Sequence, residues 1–203
     1  MIIRHSELES CRTNVRAWVT ARHGGGSRPG WSYAYATRCA IYRFHKLYDE
    51  AQTVDYLEDL LRRVHLTNAI RVGESRELIR GYCGRFFAQP FTVADVRIRI
   101  ALDVGAGVKI GGEVSRMDVD PAGGYRAVLL GDVTARWSDQ LRMPLLQRAV
   151  AIKYRHDEDL VSVGVQRLDG TGLDTRRFSR ARIVRAVAEA QRVAGQVSAL
   201  LWP

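Results

Sequence analysis

The sequence predicts an α/β domain: a mixed sheet with an α-β-β-β-α-β core and a helical N-terminal lobe. Three observations carry this. Val96, Ile98, Ile100, Leu102 and Val104 alternate with Arg97, Arg99, Ala101 and Asp103, the period of a strand. Before Pro90, apolar residues recur at helical spacing, and after it two further strand-like stretches follow, separated by glycine-rich turns. The chain of 203 residues, 46% hydrophobic, is long enough for one sizeable core. The expected organisation is a single domain, with residues 1–90 as the helical lobe and 91–203 as the sheet core with a C-terminal helix.

The elements follow in order. Ser6-Glu7-Leu8-Glu9 has capping-box spacing and predicts a helix running to about Ala21. The glycines and proline of 23–30 end it in a loop. Ser32 caps a second helix over "YAYATRCAIYRFHKLYDE". Residues 53–64 and 74–88 make two more helices. The second strand covers 108–119 and the third 125–134, where the apolar run Ala127 to Leu130 predicts a central strand buried on both faces. Ser138 is read as the cap of the next helix, which Pro144 kinks or displaces. Residues 160–168 are a further strand and 179–200 a terminal helix.

Formal net charge is +9, which favours a polyanionic partner such as nucleic acid. Lysine contributes only Lys46, Lys109 and Lys153; the other basic residues are arginine. Cys11, Cys39 and Cys83 are odd in number, lack C-x-x-C spacing and read as small core residues. No apolar run is long enough to span a bilayer and the first ten residues lack a secretory pattern, so no membrane association and a cytoplasmic location are expected. Nucleophile-elbow, P-loop and H-E-x-x-H motifs are absent.

"GGEVSRMDVDPAGGYRAVLLGDVT", residues 111–134, reads as a hairpin with carboxylates near its polar ends. With "SELESCRTNVRAWV", "AIYRFHKLYDEA" and "DQLRMPLLQRAVA", it resembles the PD-(D/E)XK nuclease superfamily, in particular its RecB-type branch, over roughly residues 6–168. The resemblance implies a nuclease-like core, Mg2+ or Mn2+ as cofactor and DNA as partner. It also implies a setting in genome maintenance or defence, beside a helicase or another protein. The chain departs from the pattern where Ser115 stands for the aspartate of Gly-x-x-Asp, Thr134 for the lysine of Asp/Glu-x-Lys and Pro144 for the tyrosine of Gln-x-x-x-Tyr. Asn14 stands where a Cys-Pro would be and only three cysteines are present, so no iron–sulfur cluster is expected.

On this reading Glu113 and Asp132 form the metal pair, with His45 as a third ligand from the helical lobe; all three are the candidate catalytic residues. Each has a plainer alternative. Glu113 can be an ion-pair partner of an arginine, Asp132 can solvate a loop, and His45 can be a packed helix residue. Asp118 and Asp120 flank Pro121 and read as turn residues. Arg136 and Arg142 are candidates for phosphate contact in place of the missing lysine, and Gln140 for substrate contact. Tyr33, Tyr35 and Tyr42 could stack bases or pack the lobe. The leading expectation is metal-dependent DNA hydrolysis at an atypical site. The alternatives are a catalytically inactive nuclease-fold binding or scaffold subunit and an unrelated α/β interaction domain.

Overall fold

A computed structural model describes residues 1–23, 30–131 and 134–202. The loop read over 23–30 falls almost wholly outside them, as does Asp132. The described chain begins with strand β1 (Ile2–Arg4), a 3-10 turn and helices α1 (Leu8–Thr13) and α2 (Val15–His23). Helices α3 (Tyr33–Leu47), α4 (Glu50–Arg63) and α5 (Ala69–Phe86) follow. Then come strands β2 (Thr92–Asp103), β3 (Lys109–Val119) and β4 (Tyr125–Leu130), helix α6 (Arg142–Tyr154), strands β5 (Val161–Gln166) and β6 (Asp174–Arg176), and helix α7 (Arg180–Leu201).

Local chemistry explains most boundaries. The Ser32, Asp49, Asn68 and Ser179 side chains accept backbone N–H groups at the starts of α3, α4, α5 and α7. The first helix differs from expectation: the capping box does not form, and the chain breaks at Asn14, whose Oδ1 accepts the Ala17 N–H at 3.0 Å and starts α2. Ser138 is not a helix cap either. It sits in a 3-10 turn, and the Leu141 N–H at the start of α6 donates to Glu9, on α1. Pro144 lies in the first turn of α6, where a missing N–H costs nothing.

The six strands form one mixed sheet in the order β1-β3-β4-β5-β6, with β2 antiparallel to β3. β4 lies between antiparallel β3 and parallel β5, as its apolar run predicts, although it ends at Leu130. The sheet separates two apolar clusters. One takes Leu8 and Cys11 of α1 with Leu145 of α6 and Ile183 and Ala190 of α7. The other is built by α3, α4 and α5 against Val128 and Leu130. Helices α1 and α2 therefore pack with the C-terminal helices, across the sheet from α3–α5. An N-terminal lobe of four helices was expected; only three form it, because the apolar stripe of the first faces the opposite cluster.

The predicted alternation of β2 holds from Ile98 through Leu102 to Val104, and the strand presents the opposite face before Arg97. Ile98, Ile100 and Leu102 join the first cluster, whereas Val93 and Val96 pack on the second. Arg97, at φ 58°, sits between them in a left-handed conformation that L residues adopt at some cost. Across the ladder β3 changes face too: Val114 joins the first cluster, and Arg116 and Asp118 point at the helices of the second.

Arg116 and Asp118 are both fully buried. Arg116 Nε and Nη2 donate to the two Asp118 oxygens at 2.6 and 3.1 Å, and Arg126 Nε donates to Oδ2 at 3.2 Å. Arg116 Nη1 donates to the Tyr82 hydroxyl. The Phe91 ring meets both guanidiniums, at 4.9 and 4.7 Å from its centroid. Asp118 is thus an ion-pair partner in the core and not a turn residue. Asp120 does hold the turn, accepting the Gly124 N–H at 2.8 Å.

Candidate functional site

β2 pairs with β3 along one edge for nearly its whole length. The other edge is shared: β1 pairs at residues 109–111 and β4 at 116–119. Between them, residues 112–115 have no strand beside them, and a cavity of about 730 Å3 opens there. Its walls come from β1, the 3-10 turn, α3, β2 and the start of α6.

His5 fills the head of this fork. Its ring lies directly over Gly112, where a Cβ atom would come within 2.2 Å of His5 Cδ2. Gly112 also has φ +151°, so glycine is needed there for both reasons. His5 Nε2 is 3.1 Å from the Glu113 carbonyl, which can only accept, so Nε2 carries the proton in the neutral ring. Burial lowers the His5 pKa, and the Arg142 and Arg38 guanidiniums push it further down. Gly112→Ala is expected to displace this ring and to cost roughly 1–3 kcal/mol of stability by urea denaturation, the usual penalty of overpacking.

Ser115 closes the other side of the fork. Its Oγ accepts the Leu130 N–H at 3.0 Å, at the point where β4 leaves β3. The hydroxyl at this position therefore satisfies the backbone.

Glu113 reaches the cavity, as the sequence predicts, but its carboxylate is occupied. Oε2 accepts from Arg97 Nε at 2.9 Å and Oε1 from the Tyr42 hydroxyl at 3.1 Å. The plainer alternative, an arginine ion pair, is the one observed. The hydrogen bond to Glu113 raises the Arg97 pKa. Burial, the neighbouring charge of Glu113 and its hydrogen bond raise that of Tyr42 above the usual tyrosine range, against a lowering hydrogen bond from Ser115. Around this single neutralised carboxylate stand Arg4, Arg38, Arg99 and Arg142. Burial lowers the Arg142 pKa, and its Nε donates to Gln140 Oε1 at 2.6 Å. Gln140 and Arg142, both singled out by sequence, thus form one unit at the cavity. Arg136 is exposed in the preceding 3-10 turn and does not line it.

His45 is not brought to Glu113. It is buried in the α3–α5 cluster, with Nε2 2.7 Å from the Tyr82 hydroxyl and its ring 4.8 Å from Phe86. Helical spacing puts it on the stripe of α3 that meets Tyr82 and Phe86 of α5, whereas Arg38 and Tyr42 line the cavity. Burial, aided by Arg116, takes its pKa from 6.5 to about 3. The folded value lies below the unfolded one, so the unfolded chain binds more protons between them. Stability is expected to fall as pH drops below about 6.5 and to keep falling toward about 3. His45→Gln should flatten that part of a stability–pH profile measured by urea denaturation.

The sequence did not mark His5, Arg4, Arg38 or Arg99. Arg38 was the most accessible of the missed signals, since its i,i+4 spacing puts it on one side of a helix with Tyr42, which the sequence did single out. His5 contacts Glu113 across 108 positions, and nothing local announces it. No protein-family model matches the chain, and no curated protein sequence matches it.

Divalent metals need several carboxylate or other oxygen ligands. Among the described residues, no three His, Cys, Asp or Glu side chains cluster closely enough to hold a metal ion. In the cavity Glu113 is engaged by Arg97 and surrounded by guanidiniums, so the described residues fit an anion and not a divalent cation. Asp132, the expected second ligand, lies outside the described residues. Among those described, no helix is long and apolar enough to cross a membrane.

Proposed function

We propose that this protein is a nuclease-like-fold, DNA-binding protein whose fork cavity grips phosphate. One observation carries the reading. Four arginines line the cavity, a fifth is paired to its only acidic residue, and no described carboxylate there is left to oppose an anion. Arginine forks match phosphate oxygens in geometry and charge. The net charge of +9 supports a polyanionic partner. The resemblance to PD-(D/E)XK nucleases makes DNA the nucleic acid of choice and genome maintenance or defence the setting, with a helicase or other protein as partner. Hydrolysis assisted by Mg2+ or Mn2+ at Glu113 is the second reading. It is favoured by the position of Glu113 in the cavity, on the hairpin that the resemblance links to a metal, and it requires Arg97 to release that carboxylate.

Equilibrium binding of DNA in EDTA over a series of salt concentrations tests the first reading. Four phosphate contacts predict a log–log slope of about −3 for single strands, from roughly 0.7 counterions released per contact. A flat salt response, or no binding at low salt, would refute it.

A further inference from the structure

A second cleft abuts the fork cavity and shares three residues with it, Arg4, Tyr35 and Arg38. Its other wall includes Trp31, which is 45% exposed and lies 5.0 Å from the Tyr35 ring, centroid to centroid, at a tilt of 54°. An exposed indole beside a second aromatic ring offers a face on which a base can stack. Tyr35, Arg38 and Tyr42 lie on one stripe of α3, and Trp31, just before the Ser32 cap, sets its ring beside that of Tyr35. An aromatic surface therefore adjoins the arginine cavity, joined to it through Arg4, Tyr35 and Arg38.

Resting on the phosphate-binding reading above, we infer that the protein recognises the end of a single strand carrying a terminal phosphate. The last base stacks at Trp31 and Tyr35, and the phosphomonoester enters between Arg38 and Arg142. An aromatic platform needs a base free of its duplex stack, which selects single strands. A terminal phosphate carries about two negative charges near neutral pH, against one for an internal diester, and exposes three oxygens to the guanidiniums. The cavity has the charge for it: Arg38, Arg99 and Arg142 line it beside Arg4, which Glu7 approaches at 3.7 Å, and the carboxylate of Glu113 is already neutralised by Arg97. Tyr42, hydrogen-bonded to Glu113, ends the α3 stripe inside the cavity.

The test uses the full-length protein in EDTA and fluorescence anisotropy with short, internally labelled single-stranded DNA. The strands end in a 5′-phosphate, a 3′-phosphate or hydroxyls only. One phosphorylated end is expected to bind roughly tenfold more tightly than the hydroxyl-ended strand, the scale of one added set of charge-assisted hydrogen bonds. Which end gains identifies the polarity. Arg38→Gln should abolish the preference. Trp31→Ala should weaken all three strands by a similar factor, roughly tenfold for a lost stacking partner, and keep the preference. Equal affinity for phosphorylated and hydroxyl ends would overturn this inference and leave the phosphate-binding function standing. A Trp31→Ala protein indistinguishable from the parent, or tighter binding of a blunt duplex, would also overturn it. Failure of every DNA to bind would remove both.

Discussion

Asp118→Ala is expected to destabilise the protein by roughly 3–5 kcal/mol, the range for removing one partner of a buried ion pair. At about 2–4 °C per kcal/mol for a chain of this size, the melting temperature should fall by roughly 6–20 °C. The reason lies in what remains. Arg116 is fully buried, and Asp118 supplies two of its hydrogen bonds and the nearest negative charge. Without that carboxylate, Arg116 keeps only the Tyr82 hydroxyl and the faces of Tyr82 and Phe91. A solitary buried guanidinium is far costlier than the pair. The double variant Asp118→Ala, Arg116→Met removes both charges and should recover most of the loss. Equal damage in the single and double variants would show that packing, and not charge, governs this part of the core.

Arg142→Ala is expected to weaken DNA binding by roughly 10- to 100-fold, corresponding to about 1.5–3 kcal/mol for hydrogen bonds to a charged group. Its salt slope should become shallower by about 0.7 for a single strand, one phosphate contact fewer. The fold should respond in the other direction. Arg142 is held partly buried with its pKa lowered by burial, and its only described side-chain partner is Gln140. Removing it relieves a desolvation cost, so thermal stability should stay level or rise. Residues retained at a cost to stability are those that serve binding. A variant that loses stability and keeps its affinity would assign Arg142 to the fold.

The fold class was legible because its signals are local and periodic. Alternation in β2, the two-sided apolar run of β4 and the Ser32 cap can each be read within a few residues. β1 and β6 are three residues each, too short for a period, and exist because a longer neighbour pairs with them. The change of face at Arg97 depends on a single backbone conformation that its side chain does not encode. Asp118 was half legible: two residues from Arg116 on a strand, it shares that residue's face, and proximity to Pro121 drew it to the turn instead. At the site, Glu113, Gln140 and Arg142 could be found because a hairpin and a helix start are recognisable. Arg4, His5 and Arg38 come from the N-terminal strand and turn and from a helix on the other side of the sheet, so only the folded chain brings them to the fork.

The central claim is that the fork cavity is a phosphate grip in which Glu113 restrains an arginine. It is tested most directly by measuring DNA binding and cleavage for the parent protein and Glu113→Gln, in Mn2+, Mg2+ and EDTA. Glutamine keeps the shape and removes the charge that holds Arg97. The expected result is intact DNA in every condition, binding that survives EDTA, and equal or tighter binding by Glu113→Gln. Metal-dependent cleavage by the parent that disappears in Glu113→Gln would contradict it and make Glu113 a metal ligand.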